Sequence, residues 1–178
     1  MNSEFHPHKV FKFCPKCGGT NFITHNLKAQ KCQDCEFIFY TNAAAAVAAI
    51  IINEQGEVLL TTRAFDPSKG MLDLPGGFVD PGETIENALT REIKEELNLD
   101  IIASTYFGSF PNEYVYAGIL YYTIDLVYLC KVSNLNQIKV DDDVTDYSFH
   151  AITSDTIQKI GLDSIKKILK TLVIEKQL

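Results

Sequence analysis

The chain has 178 residues, 46% of them hydrophobic, and a formal charge of -7 from 16 basic and 23 acidic side chains. That length supports one well-cored domain with a small appendage and excludes two full-size domains. No apolar run approaches the roughly 20 residues that cross a bilayer, the N-terminus lacks a signal-peptide pattern, and the acidic balance disfavours indiscriminate grip on nucleic acid, so a cytoplasmic protein without a membrane partner is expected.

The first forty residues carry four of the five cysteines, as Cys14-Pro-Lys-Cys17 and Cys32-Gln-Asp-Cys35. Each C-x2-C pair bends its chain so that two thiolates meet one tetrahedral ion, the arrangement of a structural zinc site. Two disulfides, or a redox pair without its βαβ setting, are the competing readings. Gly18 and Gly19 let amides turn towards the first pair, whereas Glu36 and Phe37 follow the second. Short β pieces at 10–13 and 37–40 are expected around the metal, because so short a segment buries too little apolar surface alone.

From Ala43 the run AAAAVAAIII could form a helix, but its Ile-rich end, the turn signal at 53–56 and the following VLLTTR predict a strand hairpin. A polar loop over 63–71 leads through Leu72-Asp73-Leu74 into Pro75-Gly76-Gly77, whose glycines allow backbone close to a ligand. Thr84 is the expected N-cap of a helix whose Ile85, Ala88, Leu89, Ile93 and Leu97 form one buried stripe. Strands are predicted at 101–110, 117–122 and 123–131, with Pro111-Asn112 as a loop. Cys130 reads as a buried hydrophobe. An acidic turn at 141–143, a strand at 147–152 and helices at 154–160 and 162–175 complete the chain. This order predicts an α+β fold, an α/β/α sandwich rather than a doubly wound sheet.

The predicted central helix holds Glu92 and Glu96 one turn apart, with Glu95 beside them. Their mutual repulsion is relieved by a cation, and hard oxygen ligands select Mg2+ or Mn2+ rather than zinc. Ions held this way neutralise a diphosphate and activate water, so phosphoanhydride hydrolysis is the natural reaction. The alternative is a solvated acidic face, common on glutamate-rich helices, but these acids border the apolar stripe and follow a Gly-Gly loop. Arg91 and Glu83 form a plausible ion pair fixing loop to helix.

The segment 77–99 matches the spacing Gly77, five residues, Glu83, seven residues, Arg91-Glu92-Ile93-Lys94-Glu95-Glu96 and resembles the signature box of the Nudix hydrolases. Asn98 stands where that family usually has glycine, and asparagine tolerates the left-handed helix cap. The resemblance implies a Nudix α/β/α sandwich with a mixed sheet over 42–178, preceded by a small zinc ribbon over 1–41. It further implies Glu92 and Glu96 as principal ligands of Mg2+ or Mn2+, Glu95 as a third, the Gly77 carbonyl as a backbone ligand, and Glu83 with Arg91 as an orienting pair. An acid beyond the box is also implied, Asp143 in preference to Asp146.

A ribbon joined to such a domain is similar to the zinc-containing NADH pyrophosphatase branch of that family. The branch carries a tryptophan-containing motif after the box, where this chain has Gly108-Ser109-Phe110-Pro111-Asn112-Glu113-Tyr114 and no tryptophan anywhere. Phe110, Tyr114 and Tyr116 can stack on a base or serve as core aromatics. The implied function is Mg2+-dependent hydrolysis of a nucleoside diphosphate linked to another group, with ADP-ribose and NADH as leading small-molecule substrates. A capped RNA end is the one nucleic-acid partner retained, and a homodimer is implied by the zinc-containing relatives. The competing function is a ribbon that binds RNA or protein, joined to a Nudix domain that senses a nucleotide without cleaving it.

Overall fold

The computed structural model describes residues 4–141 and 143–176. They fall into two compact units, one within Met1–Ala43 and Glu113–Tyr122, the other within Ala44–Asn112 and Thr123–Leu178.

In the first unit, a single helical turn α1 (Pro7–Val10) precedes three strands, β1 (Phe22–Asn26), β2 (Ala29–Cys32) and β3 (Ile38–Tyr40), paired antiparallel in the order β1-β2-β3. Its core is small: Cys14, Phe22 and Cys32, flanked by Phe11, Cys35, Phe37 and Phe39. The sequence predicts a β piece at 10–13, but the structure has helix up to Val10 and no strand there. Pro7, with its backbone φ already near helical values and no N–H to satisfy, starts that turn, and the His6 side chain caps it by accepting from His8 N–H.

The second unit contains β4 (Ala44–Ile51), β5 (Val58–Arg63), β6 (Leu72–Asp73), α2 (Ile85–Leu97), β9 (Val144–His150), α3 (Ser154–Gln158) and α4 (Asp163–Lys176). Between α2 and β9 run the long strands β7 (Ile101–Tyr116) and β8 (Ile119–Val132). One sheet has the order β4-β8-β7, with β4 parallel to β8 from Ala44↔Thr123 to Ile51↔Cys130. The other has the order β6-β5-β9 and is antiparallel. Alternation along β4 and β5 builds two cores. Val47, Ala49, Ile51 and Leu59 face Ala88, Leu89, Ile93 and Leu97 of α2, while Ala48, Ile50, Val58 and Leu60 face Ile165, Ile168, Leu169 and Leu172 of α4. Both faces of these strands are therefore apolar and covered, which is the mixed α+β sandwich predicted from sequence. Each fully buried Leu or Ile contributes about 1.5–3 kcal/mol.

The helix predicted after the Gly-Gly loop is α2. Thr84 Oγ1 accepts from Asn87 N–H at 3.2 Å, and Asn98 takes the left-handed conformation at φ 55° while its N–H reaches Ile93 and Lys94 carbonyls. Three other expectations change. The predicted hairpin of β4 and β5 is joined by the single bridge Ile52↔Val58, and the strands then part into different sheets. Pro111 and Asn112 lie within β7 rather than in a loop. Proline is tolerated there because β7 is the last strand of its sheet, where a missing N–H need not interrupt a ladder. The predicted strands at 117–122 and 123–131 are one strand, β8, entered through a turn at Ala117 and Gly118 with φ of 49° and 76°. Among the described residues, no helix is long and apolar enough to cross a membrane.

Candidate functional site

The loop between β6 and α2 lies against β4: Ala49 N–H donates to Pro75 O at 2.9 Å, Val47 N–H to Gly77 O at 2.8 Å, and Val79 N–H to Ala45 O at 3.0 Å. Gly76 sits at φ 140°, and a Cβ there would stand 2.1 Å from Val47 O. A Cβ on Gly77 would stand 2.6 Å from the Glu92 carboxylate. Two glycines are thus required for the backbone to pass between a strand and the acidic face of α2.

On that face Glu92 and Glu96 are both buried. Gly76 N–H donates to Glu96 Oε2 at 2.9 Å. Burial, despite that bond, pushes the Glu96 carboxyl up to about 8, with the negative charges of Glu92, Asp73 and Asp143 adding to the effect. At the end of α2, Lys139 N–H and Asp141 N–H donate to the Leu97 and Glu96 carbonyls, and Ala64 N–H donates to Asp143 O. Asp143, Glu92, Glu96, Gly76 and Gly77 consequently line one cleft of about 260 Å3.

Arg91 spreads across the neighbouring acids. Its Nε and Nη2 donate to the two Glu83 oxygens at 3.0 and 2.9 Å, Nη2 also donates to Phe78 O at 3.0 Å, and Nη1 donates to Glu92 Oε1 at 2.8 Å and Glu95 Oε2 at 3.0 Å. Glu83 in turn accepts from Asp80 N–H. The Arg91 hydrogen bonds hold the Glu83 carboxyl below the usual carboxylate range. Arg91 therefore ties the loop to the helix and leaves Glu95 turned to the guanidinium rather than lining the cleft.

Five further candidates from the sequence divide, one lining the cleft and four lying elsewhere. Gly77 lines the cleft, but its carbonyl already accepts from Val47. Asp146 is exposed and accepts from Tyr147 N–H. Phe110 stacks on Phe107 against the α4-side core, at a centroid distance of 6.3 Å. Tyr114 and Tyr116 belong to the first unit, each with its ring beside that of Tyr121. None of the four lines the cleft.

The cleft also contains residues that sequence reasoning missed. Arg63 pairs with buried Asp73 and donates to Pro67 O. Burial raises the Asp73 carboxyl despite Arg63. Phe65 and Phe78 line the same cleft at 61% and 48% exposure, high enough to present ring faces to a ligand. No spacing in the sequence joins Arg63 to Phe78; only the β5–β6 pairing and the glycine loop do.

An oxygen-only donor set with excess negative charge suits a hard divalent cation, and the gap left by the absent Gly77 Cβ keeps Glu92 open to the loop. The carboxylates do not close into a cage. Among the described residues, the four cysteines are the only His, Cys, Asp or Glu cluster of three or more whose ligand atoms all lie within 4.8 Å. In that cluster Cys14 Sγ and Cys35 Sγ are 3.7 Å apart, as are Cys17 Sγ and Cys32 Sγ. A tetrahedron with metal–sulfur bonds of about 2.3 Å has edges of about 3.8 Å, so a zinc ion fits. Disulfides do not fit, since they require about 2.05 Å. Glu36 takes φ 60° after the second pair, the conformation glycine supplies after the first at Gly18. Cys130 is buried in the α2-side core, as a hydrophobe would be, and burial pushes its thiol up to about 12.

A sequence profile of the NUDIX domain matches residues 42–167. The chain is 35% identical over 106 residues to the NAD-capped RNA hydrolase NudC of Vibrio vulnificus strain CMCP6, a match covering 60% of this chain and 40% of that protein. It is 34% identical over 105 residues to the protein of the same name from Haemophilus influenzae strain PittGG, covering 58% and 39%. The matched region spans about two-fifths of the length of these curated relatives. In fold, the chain is similar to a NUDIX hydrolase from Nitrosomonas europaea, with a TM-score of 0.67 and 24% identity over 94% of this chain and 93% of that one. It is also similar to the NUDIX domain of Shewanella oneidensis NrtR complexed with ADP ribose, with a TM-score of 0.58 and 20% identity over 78% and 91%.

Proposed function

Because the chain belongs to the NUDIX domain family, we propose that it is a pyrophosphohydrolase that splits the diphosphate of a nucleoside diphosphate linked to another group. The products are a nucleoside monophosphate and the phosphorylated second group. The observation that carries this reading is the single cleft in which Glu92, Glu96 and Asp143 open beside the Gly76-Gly77 backbone. ADP-ribose and NADH-like dinucleotides are the leading substrates. The similar proteins named NAD-capped RNA hydrolase, and the similar fold that holds ADP ribose, support this class, since each name specifies adenosine diphosphate bearing a further group. An NAD-capped RNA end joins the candidates on the same ground.

Glu92 and Glu96 would hold Mg2+ or Mn2+, with Asp143 and the Gly77 carbonyl as further donors, while Glu95, outside the cleft and bound to Arg91, would join them only by leaving that guanidinium. When bound, such an ion neutralises the diphosphate and lowers the pKa of a water that attacks phosphorus. The Gly76 N–H keeps the Glu96 carboxylate oriented, and Arg91 fixes the loop to the helix through Glu83. Arg63 brings a fixed cation to the anionic substrate, and Phe65 with Phe78 supply ring faces for a base.

Glu96→Gln is expected to lower kcat for ADP-ribose about 100-fold or more while the fold survives. Normal folding with unchanged turnover in that variant would overturn the assignment. A substrate panel of nucleoside diphosphate sugars, dinucleotides and NAD-capped RNA, with products resolved, identifies the second group.

The same reading divides the chain into a zinc ribbon over 1–41 and a hydrolase domain over 42–178, with zinc as the structural ion on Cys14, Cys17, Cys32 and Cys35. Composition adds a cytoplasmic location, and the resemblance to zinc-containing relatives alone adds a homodimer. Light scattering that returns a monomer mass would remove the dimer.

A further inference from the structure

The net charge of -7 conceals a division. The first unit's segments hold five basic and four acidic side chains, a net +1, whereas the second unit's hold eleven and nineteen, a net -8. Between Glu4 and Asp34 there are five lysines and no acid at all. An apolar groove of about 370 Å3 is built mostly from that acid-free stretch, walled by its Phe11, Phe13 and Phe22 together with Phe39 and edged by Lys12. Phe11 and Phe39 meet edge to face at 5.8 Å, forming a fixed wall. Phe13 is 63% exposed, so its ring is not used by the unit's own core. Exposed Lys9 and Lys16 neighbour the lining residues Val10 and Pro15 in the chain.

We propose that this aromatic groove, with Lys12 at its edge and Lys16 next in the chain to its lining residue Pro15, is a binding surface for single-stranded nucleic acid that takes a base against Phe13 and phosphates on the lysines. Exposed aromatic faces beside cations are the means by which single strands are held without sequence readout, because every base offers a π-face and every linkage a charge. A duplex keeps its bases stacked inside and cannot fill such a groove. The charge division selects the same partner: a polyanion is repelled by the acidic unit and met by the acid-free segment. None of the groove's lining residues lines the carboxylate cleft, and its binding does not depend on hydrolysis.

The test uses the full zinc-loaded chain and a fluorescent 5′-hydroxyl oligoadenylate of about 12 nucleotides, which has no diphosphate to cleave and spans a typical single-strand site of roughly 4–16 nucleotides. Anisotropy should show binding that weakens with salt and exceeds that of a blunt duplex of the same length. Phe13→Ala is expected to weaken it about tenfold. Lys12→Gln with Lys16→Gln should flatten the slope of log K against log salt by about 1.4. Both variants should keep their metal content and their turnover of ADP-ribose, and Glu96→Gln should bind the oligonucleotide like wild type. Absence of binding at low salt, equal binding by all variants, or preference for the duplex would overturn the proposal. A Phe13→Ala change that alters only the mass by light scattering would assign the groove to a second copy of the chain instead.

Discussion

Gly76 and Gly77 are adjacent, yet substitution at each meets a different obstacle. A Cβ at Gly76 runs into the Val47 backbone, which cannot move without breaking the docking of the loop on β4, whereas a Cβ at Gly77 meets only the end of the Glu92 side chain. Gly76→Ala is therefore expected to lower stability by about 2 kcal/mol or more, read as a fall in Tm. Gly77→Ala should leave Tm nearly unchanged while activity falls, because the displaced group is the Glu92 carboxylate. Asp125, buried on β8, provides a pH test. Burial raises its carboxyl, against a hydrogen bond from Thr123 Oγ1 at 3.0 Å. Its folded pKa lies above the unfolded value of about 3.9, so its stabilising contribution is complete below that value and is lost as pH rises through the folded pKa. Asp125→Asn should accordingly raise the urea midpoint at pH 7.5 relative to wild type and lose that advantage near pH 4.

At the scale of elements, local signals were legible and pairings were not. Thr84, the stripe from Ile85 to Leu97 and Asn98 specify α2 because capping and helical periodicity act within a few residues. The two C-x2-C pairs likewise brought four thiols together as expected. The turn after β4 looked like a hairpin, but parallel pairing with β8 comes from residues more than seventy positions away. Pro111 read as a loop because nothing local announces that β7 ends its sheet. Arg63 and Asp73 meet through pairing of β5 with β6, and neither residue type marks a site alone. Asp143 could be named from the resemblance, whereas the aromatics in the cleft are Phe65 and Phe78, outside the 108–114 stretch where a base-binding motif was sought. The two apolar cores also separate stability from chemistry. Ile168→Ala on α4 should cost about 2–5 kcal/mol by chemical denaturation and leave KM unaltered, since α4 contributes no residue to the cleft.

Across the whole molecule, two units rely on different sources of stability. The second has two extended apolar cores, and the first has a short list of buried residues, two of them cysteines. Cys14→Ser should therefore remove one zinc per chain by elemental analysis and unfold the three-stranded sheet, while the helical circular dichroism of the second unit persists. The overall charge was readable from composition, but its division between units was not, because the first unit recruits residues 113–122 from far along the chain.

That recruitment has a consequence for inheritance. The chain passes between the units after Ala43, after Asn112 and before Thr123, the last two within continuous strands β7 and β8. A module that enters and leaves a gene by one break at its border cannot describe this pair. Loss of the segment before residue 44 would leave the Glu113–Tyr122 tip without the backbone contact that Leu120 N–H makes to Phe5 O. Shortening the β7–β8 arm would deprive the cysteine-bearing segment of its complement. Relatives that lack the cysteine-bearing segment are therefore expected to show a shortened strand arm as well, which a comparison of their β7–β8 lengths checks.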